Sequence, residues 1–124
     1  MIRLDTTTCA IECLLGAAVS ANQPHVYVTF VDKPAQQKTD FSDYRGGKKQ
    51  TTCNGTVAIS ACAAPLQVGT VRDVDYVNIF NADTATVVAT FRINDNSVYT
   101  TLVKKTIVPD ASLVYEDGAG WLTV

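Results

Sequence analysis

Hydrophobic and polar residues alternate along most of the chain with a period of two, the pattern of β-strands that bury one face. The alternation is clearest over residues 87–93, where Val87, Ala89 and Phe91 share one side. Turns rich in Gly, Pro, Asn and Asp follow at roughly ten-residue intervals, and no segment has a helical period. The pattern predicts about eight strands, over residues 9–15, 25–31, 57–61, 71–80, 87–93, 98–108, 112–115 and 121–124.

These elements predict one all-β domain over residues 1–124, an antiparallel β-sandwich of jelly-roll-like or Ig-like type. Residues 71–124 are expected to form a continuous meander. Within it, Asn94-Asp95-Asn96 suits a hairpin turn, and the turn at residues 116–120 closes a second hairpin onto residues 121–124.

Residues 33–54 interrupt the alternation and are predicted to form one long polar loop, because charged residues and Gly46-Gly47 replace the apolar positions. Loops this long in a small domain usually have a function or are disordered. We predict that this loop contacts a neighbouring subunit, together with the segment before Cys9. A flexible loop and a small-ligand loop are the alternatives. The predicted contact residues are Lys38, Phe41, Tyr44, Arg45, Lys48 and Lys49.

Composition supports strands and narrows the functional classes. Sixteen Val and sixteen Thr favour β-structure, because β-branched side chains pack well on a pleated sheet. The formal net charge of −2 lacks the basic surplus of a nucleic-acid-binding protein. No apolar run reaches the ~20 residues that span a bilayer, and the first residues do not follow a signal-peptide pattern. We therefore expect a cytoplasmically made protein with neither nucleic acid nor membrane as partner.

The residues that could carry catalysis are few, and we expect no enzyme. His25 is the only histidine, and no Gly-x-Ser-x-Gly turn accompanies it, so we interpret it as a surface residue. Asp73 and Asp75 have the spacing of paired acids or metal ligands, but they fit the solvated side of a strand better. No catalytic residue, cofactor or metal site is predicted.

Four cysteines raise the question of a disulfide or a zinc site. Cys9, Cys13, Cys53 and Cys62 have spacings that suit zinc poorly. We interpret them as buried free thiols, with one disulfide and a metal site as the alternatives.

Several C-terminal segments resemble small virion structural proteins of tailed bacteriophages. They are the Asn81-Ala82-Asp83-Thr84 turn, the strand at residues 87–93 and the closing hairpin Leu113-Val114-Tyr115-Glu116-Asp117-Gly118-Ala119-Gly120-Trp121. The resemblance covers roughly residues 54–124. It implies a β-sandwich on or in a phage particle. In these motifs Asn81 and Asp83 would bond the turn backbone, the glycines would allow the reversal, and Trp121 would close one end of the core.

Within that group we expect a capsid decoration (cement) protein, located in the virion and made in the host cytoplasm. It would bind the major capsid protein and copies of itself, as a trimer or dimer. A tail, neck or fibre component is one alternative. A carbohydrate- or host-surface-binding module is another, with Phe41, Tyr44 and Trp121 as stacking platforms.

Overall fold

The computed structural model describes residues 1–36 and 44–124, which fold into two antiparallel sheets packed against each other. The prediction of an all-β antiparallel sandwich is confirmed. Nowhere in the described ranges is there a helix long and apolar enough to cross a membrane. The strands of the described residues are β1 (Ile2–Leu4), β2 (Cys9–Leu15), β3 (His25–Pro34), β4 (Arg45–Thr52), β5 (Ile59–Cys62), β6 (Thr70–Phe80), β7 (Val87–Asp95), β8 (Val98–Ile107), β9 (Ser112–Glu116) and β10 (Gly120–Thr123).

The larger sheet has six strands and is organised around β6. Strand β3 pairs with one edge of β6 along its whole length, while β9 and β1 share the other edge. The order is β10-β9-β6-β3-β4, and the smaller sheet has the order β5-β2-β7-β8. Strands β4 and β10 are therefore the outer strands of this order, and the short β1, which pairs only with β6, is a further edge strand.

The core lies between the sheets and follows the predicted alternation. On β2, Ile11 and Cys13 are fully buried, and Phe91 on β7 is the largest fully buried side chain. Trp121 stacks on Phe91 at 5.3 Å and on Tyr115 at 5.2 Å between ring centroids, so it closes one end of the core as predicted.

The four cysteines are buried free thiols, which confirms the favoured interpretation. Cys13 and Cys53 lie in contact, with 3.8 Å between their sulfur atoms. The hydrogen bond to Cys53 and burial both raise the pKa of the Cys13 thiol. The raised pKa favours the protonated form of this buried thiol.

The predicted loop over residues 33–54 is wrong in its extent. Strand β3 continues to Pro34, and residues 45–52 form β4, which pairs with β3 in an unbroken register. Gly46 and Gly47 lack the alternating apolar side chains by which a strand is predicted. At position 47 the packing requires glycine. A Cβ there would lie 2.5 Å from the ring of Phe30, its partner across the strands.

The predicted meander over residues 71–124 is also wrong. After β6 the chain crosses to the smaller sheet for β7 and β8, and then returns so that β9 pairs with β6. The hairpin predicted between residues 93 and 98 is present, with Asn96 and Ser97 at φ values of 50° and 69°. Strand β1 was not predicted, because three residues are too few to show a period.

The crossing from β6 to β7 is fastened by Asn81 and Asp83, both buried. The Asn81 amide donates to the carbonyls of Ala85 and Ile107 at 3.0 and 2.9 Å. Asp83 accepts the backbone N–H groups of residues 20, 21, 22 and 84 at 2.7–3.1 Å. These donors hold the pKa of the Asp83 carboxyl below its usual range. The hydrogen bonds of Asn81 and Asp83 thus connect this turn to residues 20–22 and to the end of β8.

Replacing Gly47 by alanine is expected to destabilise the fold by about 1–2 kcal/mol, because the ring of Phe30 is held between Gly47 and the Arg72 guanidinium. Urea unfolding measures the change. Gly46→Ala is the matched control, since a Cβ at Gly46 meets nothing within 4 Å, and its change should stay within about 0.5 kcal/mol. Equal costs at the two glycines would contradict this packing argument.

Asn81→Ala is expected to cost about 2–4 kcal/mol of unfolding free energy, because it leaves two buried carbonyl groups without their donor. Chemical unfolding followed by tryptophan fluorescence would measure it. Asn22→Ala, at an exposed position on the loop bonded to Asp83, should change stability by less than about 0.5 kcal/mol. A loss at Asn81 no larger than at Asn22 would refute the fastening role.

Candidate binding surface

The side of the six-stranded sheet that faces away from the smaller sheet is called here the outer face. On β3, Val26 and Val28 are buried inward, so the residues between them point outward. The same alternation applies on β6, where Val77 and Ile79 point inward. The outer face comprises Arg3, His25, Tyr27, Thr29, Val31, Lys33, Lys48, Gln50, Thr52, Asp73, Tyr76, Asn78, Phe80, Val114, Glu116 and Leu122.

One half of the outer face is charged and centres on Asp73. The Arg3 guanidinium contacts both Asp73 oxygens, at 2.7 and 3.0 Å, and the Lys33 ammonium contacts the carboxylate as well. The Lys33 ammonium also lies 5.9 Å from the centroid of the Tyr44 ring. The hydrogen bond from Arg3, and then that from Lys33, holds the pKa of the Asp73 carboxyl below its usual range.

The prediction that Asp73 and Asp75 share a solvated strand side is therefore wrong for Asp73, which is buried by its two cations. Asp75 is exposed, as predicted, and accepts a hydrogen bond from Thr29 at 2.7 Å. A break of register in the β3–β6 pairing leaves Asp75 unpaired, which changes the spacing of the two acids on the sheet.

The other half of the outer face is a neutral groove of about 560 Å³ at the end where β3 begins and β6 ends. Its outward side chains are His25, Tyr27, Gln50, Thr52, Asn78 and Phe80. His25 is exposed, as predicted for a surface residue. Tyr27 meets Tyr76 edge-to-face with 6.2 Å between the ring centroids.

The predicted contact residues are divided between the two sides of edge strand β4. Lys48 is exposed on the outer face, whereas Arg45 and Lys49 point to the inner side. Tyr44 is half-buried directly before the strand. Lys38 and Phe41 lie outside the described residues. Trp121, one of the stacking platforms of the carbohydrate-binding alternative, is partly buried and packs against the core through Phe91.

A surface that the sequence did not predict lies at the end of the sandwich where β6 begins. Leu66 and Val68 are 90% and 93% exposed, on the loop that leads into β6. Leu66 borders a cavity of about 250 Å³ beside Arg45, and Val68 borders one of about 170 Å³ beside residues 5–7. The structure thus joins three parts of the chain into one surface, called here the contact end: residues 5–7, Arg45 and residues 66–68.

Arg72 makes the base of the contact end rigid. Its guanidinium binds both oxygens of Asp32, at 2.7 and 2.9 Å, and lies 3.9 Å from the centroid of the Phe30 ring. It also donates to the carbonyl of Ala63 at 2.8 Å. The loop at residues 66–68 therefore projects from a fixed support.

One sequence signal for this loop was present but not used. Pro65-Leu66-Gln67-Val68-Gly69 places two large apolar residues in a turn, where polar residues are usual. The cluster around Asp73 had no such signal, because its pairing with Arg3 joins residues 70 positions apart.

The described ranges contain no group of three or more His, Cys, Asp or Glu residues arranged to hold a metal ion. No protein-family model, curated protein or solved structure matches the chain. The resemblance to phage virion proteins therefore stays a prediction, and the functional argument depends on the surfaces just described.

Asp73→Asn is expected to lower the unfolding free energy by about 1–2 kcal/mol at neutral pH, because it removes the negative charge that pairs with two cations. The pKa of Asp73 is lower in the folded than in the unfolded state, so its stabilisation is complete above the unfolded value of about 3.9. It is lost as pH falls through the lower, folded value. The gap between wild type and variant should therefore close from about pH 5 to about pH 2.

Asp75→Asn is the control for this pH series, because Asp75 is exposed and makes one side-chain hydrogen bond. Its effect should stay within about 0.5 kcal/mol at neutral pH. A gap at Asp73 that did not change with pH would show that the ion pairs contribute nothing.

Proposed function

We propose that this chain is a capsid decoration protein of a tailed bacteriophage, which attaches to the major-capsid shell and stabilises it without catalysing a reaction. The observation that carries the proposal is the contact end, where exposed Leu66 and Val68 lie beside Arg45 and the Asp32–Arg72 ion pair. Apolar residues with charged residues around them are the usual composition of a protein–protein contact.

The energetics of the contact end favour a permanent partner. Burying a Leu or Val side chain that is otherwise exposed contributes about 1.5–3 kcal/mol, and two of them project from one loop. Their rigid base means that little conformational entropy is lost on binding. Because a shell presents the same site many times, a modest gain per copy becomes a large resistance to internal pressure.

The larger sheet also offers a route to the proposed trimer or dimer. Two of its edge strands, β4 and β10, present backbone groups that no strand of the described residues pairs. Three positive residues on β4, which are Arg45, Lys48 and Lys49, would discourage two β4 strands from pairing with each other. We therefore favour contact between unlike edges, which closes into a ring.

The resemblance adds support from the motif residues. Gly118 and Gly120 have φ values of 85° and 81°, the left-handed conformation that the predicted tight reversal requires. Trp121 packs at the core as the resemblance implies, and Asn81 and Asp83 bond the turn backbone as it implies but also bond residues 20–22 and 107 outside the turn. These agreements support the β-sandwich component of the proposal, and the location on the particle needs an experiment.

The test is to separate heads and tails of the phage that encodes the chain and to measure the protein in each by mass spectrometry. The proposal predicts many copies on heads, and heads assembled without the protein should release DNA at a lower temperature. Leu66→Ser/Val68→Ser should reduce binding to such heads at least about tenfold, because each lost apolar contact is worth over ~1 kcal/mol.

Val98→Ser/Val108→Ser is the matched control, since both residues are also exposed, at 68% and 57%, and lie at the start of β8 and directly after its end in the smaller sheet, away from the edges proposed for self-contact. It should leave head binding nearly unchanged. Protein found on tails but not on heads would favour the tail, neck or fibre alternative. Equal losses for the two double variants would remove the contact end from the proposal.

A further inference from the structure

The neutral groove on the outer face has a regular layout. The strand register places Thr52, His25 and Phe80 in one row across β4, β3 and β6. Gln50, Tyr27 and Asn78 form the next row. With strands about 4.8 Å apart and a rise of about 3.3 Å per residue, the two rows cover roughly 10 Å by 7 Å. This is a small-ligand site rather than a large protein interface.

The chemistry of the groove combines flat rings with neutral hydrogen-bonding groups. Tyr27 and Phe80 supply aromatic surfaces, whose negative faces attract the polarised C–H groups of a ligand. Gln50, Thr52 and Asn78 supply donors and acceptors for hydroxyl groups. Among the described residues no Asp, Glu, Lys or Arg lines the groove, and His25 is the one side chain there that could carry a positive charge, so the groove has little to repay the desolvation of a phosphate, sulfate or carboxylate.

The groove is organised before any ligand arrives. The Asn78 amide donates to the Tyr76 hydroxyl at 3.1 Å, which leaves its carbonyl oxygen oriented as an acceptor. Tyr76 in turn packs edge-to-face on Tyr27. All three residues lie on β3 and β6, the most extensively paired strands of the larger sheet. Ligand binding would therefore cost little conformational entropy.

From this lining we infer that the groove binds an uncharged oligosaccharide. A sugar ring presents a C–H face and equatorial hydroxyl groups together. The aromatic side chains of the groove can contact the C–H face while the amides of the groove bond the hydroxyl groups. A protein segment would instead favour an apolar centre, and three of the six outward side chains here are amides or a hydroxyl.

The position of the groove makes this activity compatible with the proposed attachment. The groove is at the Phe80 end of β6 and the contact end is at the Thr70 end, about 33 Å away along the eleven-residue strand. A copy fixed by its contact end would therefore present the groove to solvent. The groove does not depend on the capsid proposal, since it would bind sugar in the isolated protein.

The experiment is an NMR titration of the ¹⁵N-labelled full chain with uncharged hexasaccharides of glucose, mannose, galactose and N-acetylglucosamine. We expect at least one of them to shift the side-chain amide signals of Gln50 and Asn78, with a Kd of about 0.1–1 mM. Tyr27→Ala should weaken that binding at least about tenfold, which is a loss of ~1.4 kcal/mol. Tyr99→Ala is the control, because Tyr99 is exposed on the smaller sheet under the Arg92 guanidinium.

Gln50→Ala keeps the test decisive if Tyr27→Ala does not fold, since Gln50 is exposed on an edge strand. It should weaken binding roughly threefold, by removing one neutral hydrogen bond of about 0.7 kcal/mol. Three results would overturn the inference: no shift with any of the four sugars, shifts confined to residues outside the groove, or tighter binding of a sulfated hexasaccharide. Head binding by Tyr27→Ala should stay normal, so a failure here is distinguishable from failure of the capsid proposal.

Discussion

The buried pair Asn81 and Asp83 is the constraint on which the rest of the structure depends. A carboxylate without solvent must receive hydrogen bonds, and Asp83 obtains them from the backbone of residues 20–22 and 84. Asn81 likewise joins its own turn to the carbonyl of Ile107 at the end of β8. Three segments from different parts of the chain are therefore held at one point, where the chain passes from one sheet to the other.

This fastening determines which residues face solvent. Because β7 leaves for the smaller sheet directly after the Asn81 turn, the edge of β6 is free for β9 and β1. Strand β1 then brings Arg3 to Asp73, and β9 pairs with β6 beside the neutral groove of the outer face. The charged half and the neutral groove are thus consequences of one crossing, although no residue of the Asn81 turn lies in the groove.

Local alternation was enough to predict β2, β7 and the sandwich class, because each of those strands buries one face and therefore shows period two. It was not enough for β4, whose inward positions hold Gly47 under the Phe30 ring and the side-chain stem of Lys49 in place of apolar residues. Nor could it place β6 beside β9, since pairing between residues that are 32 to 40 positions apart depends on packing and not on local pattern. The candidate surfaces share this limit, as they combine residues from β1, β3, β4 and β6.

Both proposed activities fit on a domain of this size. The protein exposes 6801 Å² in all, and a standard interface of about 800 Å² per partner would cover only about 12% of it. Attachment through the loop at residues 66–68 would leave the opposite end of β6 uncovered, because the Arg72–Asp32 pair and this loop line the same cavity at the Thr70 end. With the two proposed binding surfaces at opposite ends of one long strand, the domain would be able to hold a particle with one end and contact its surroundings with the other.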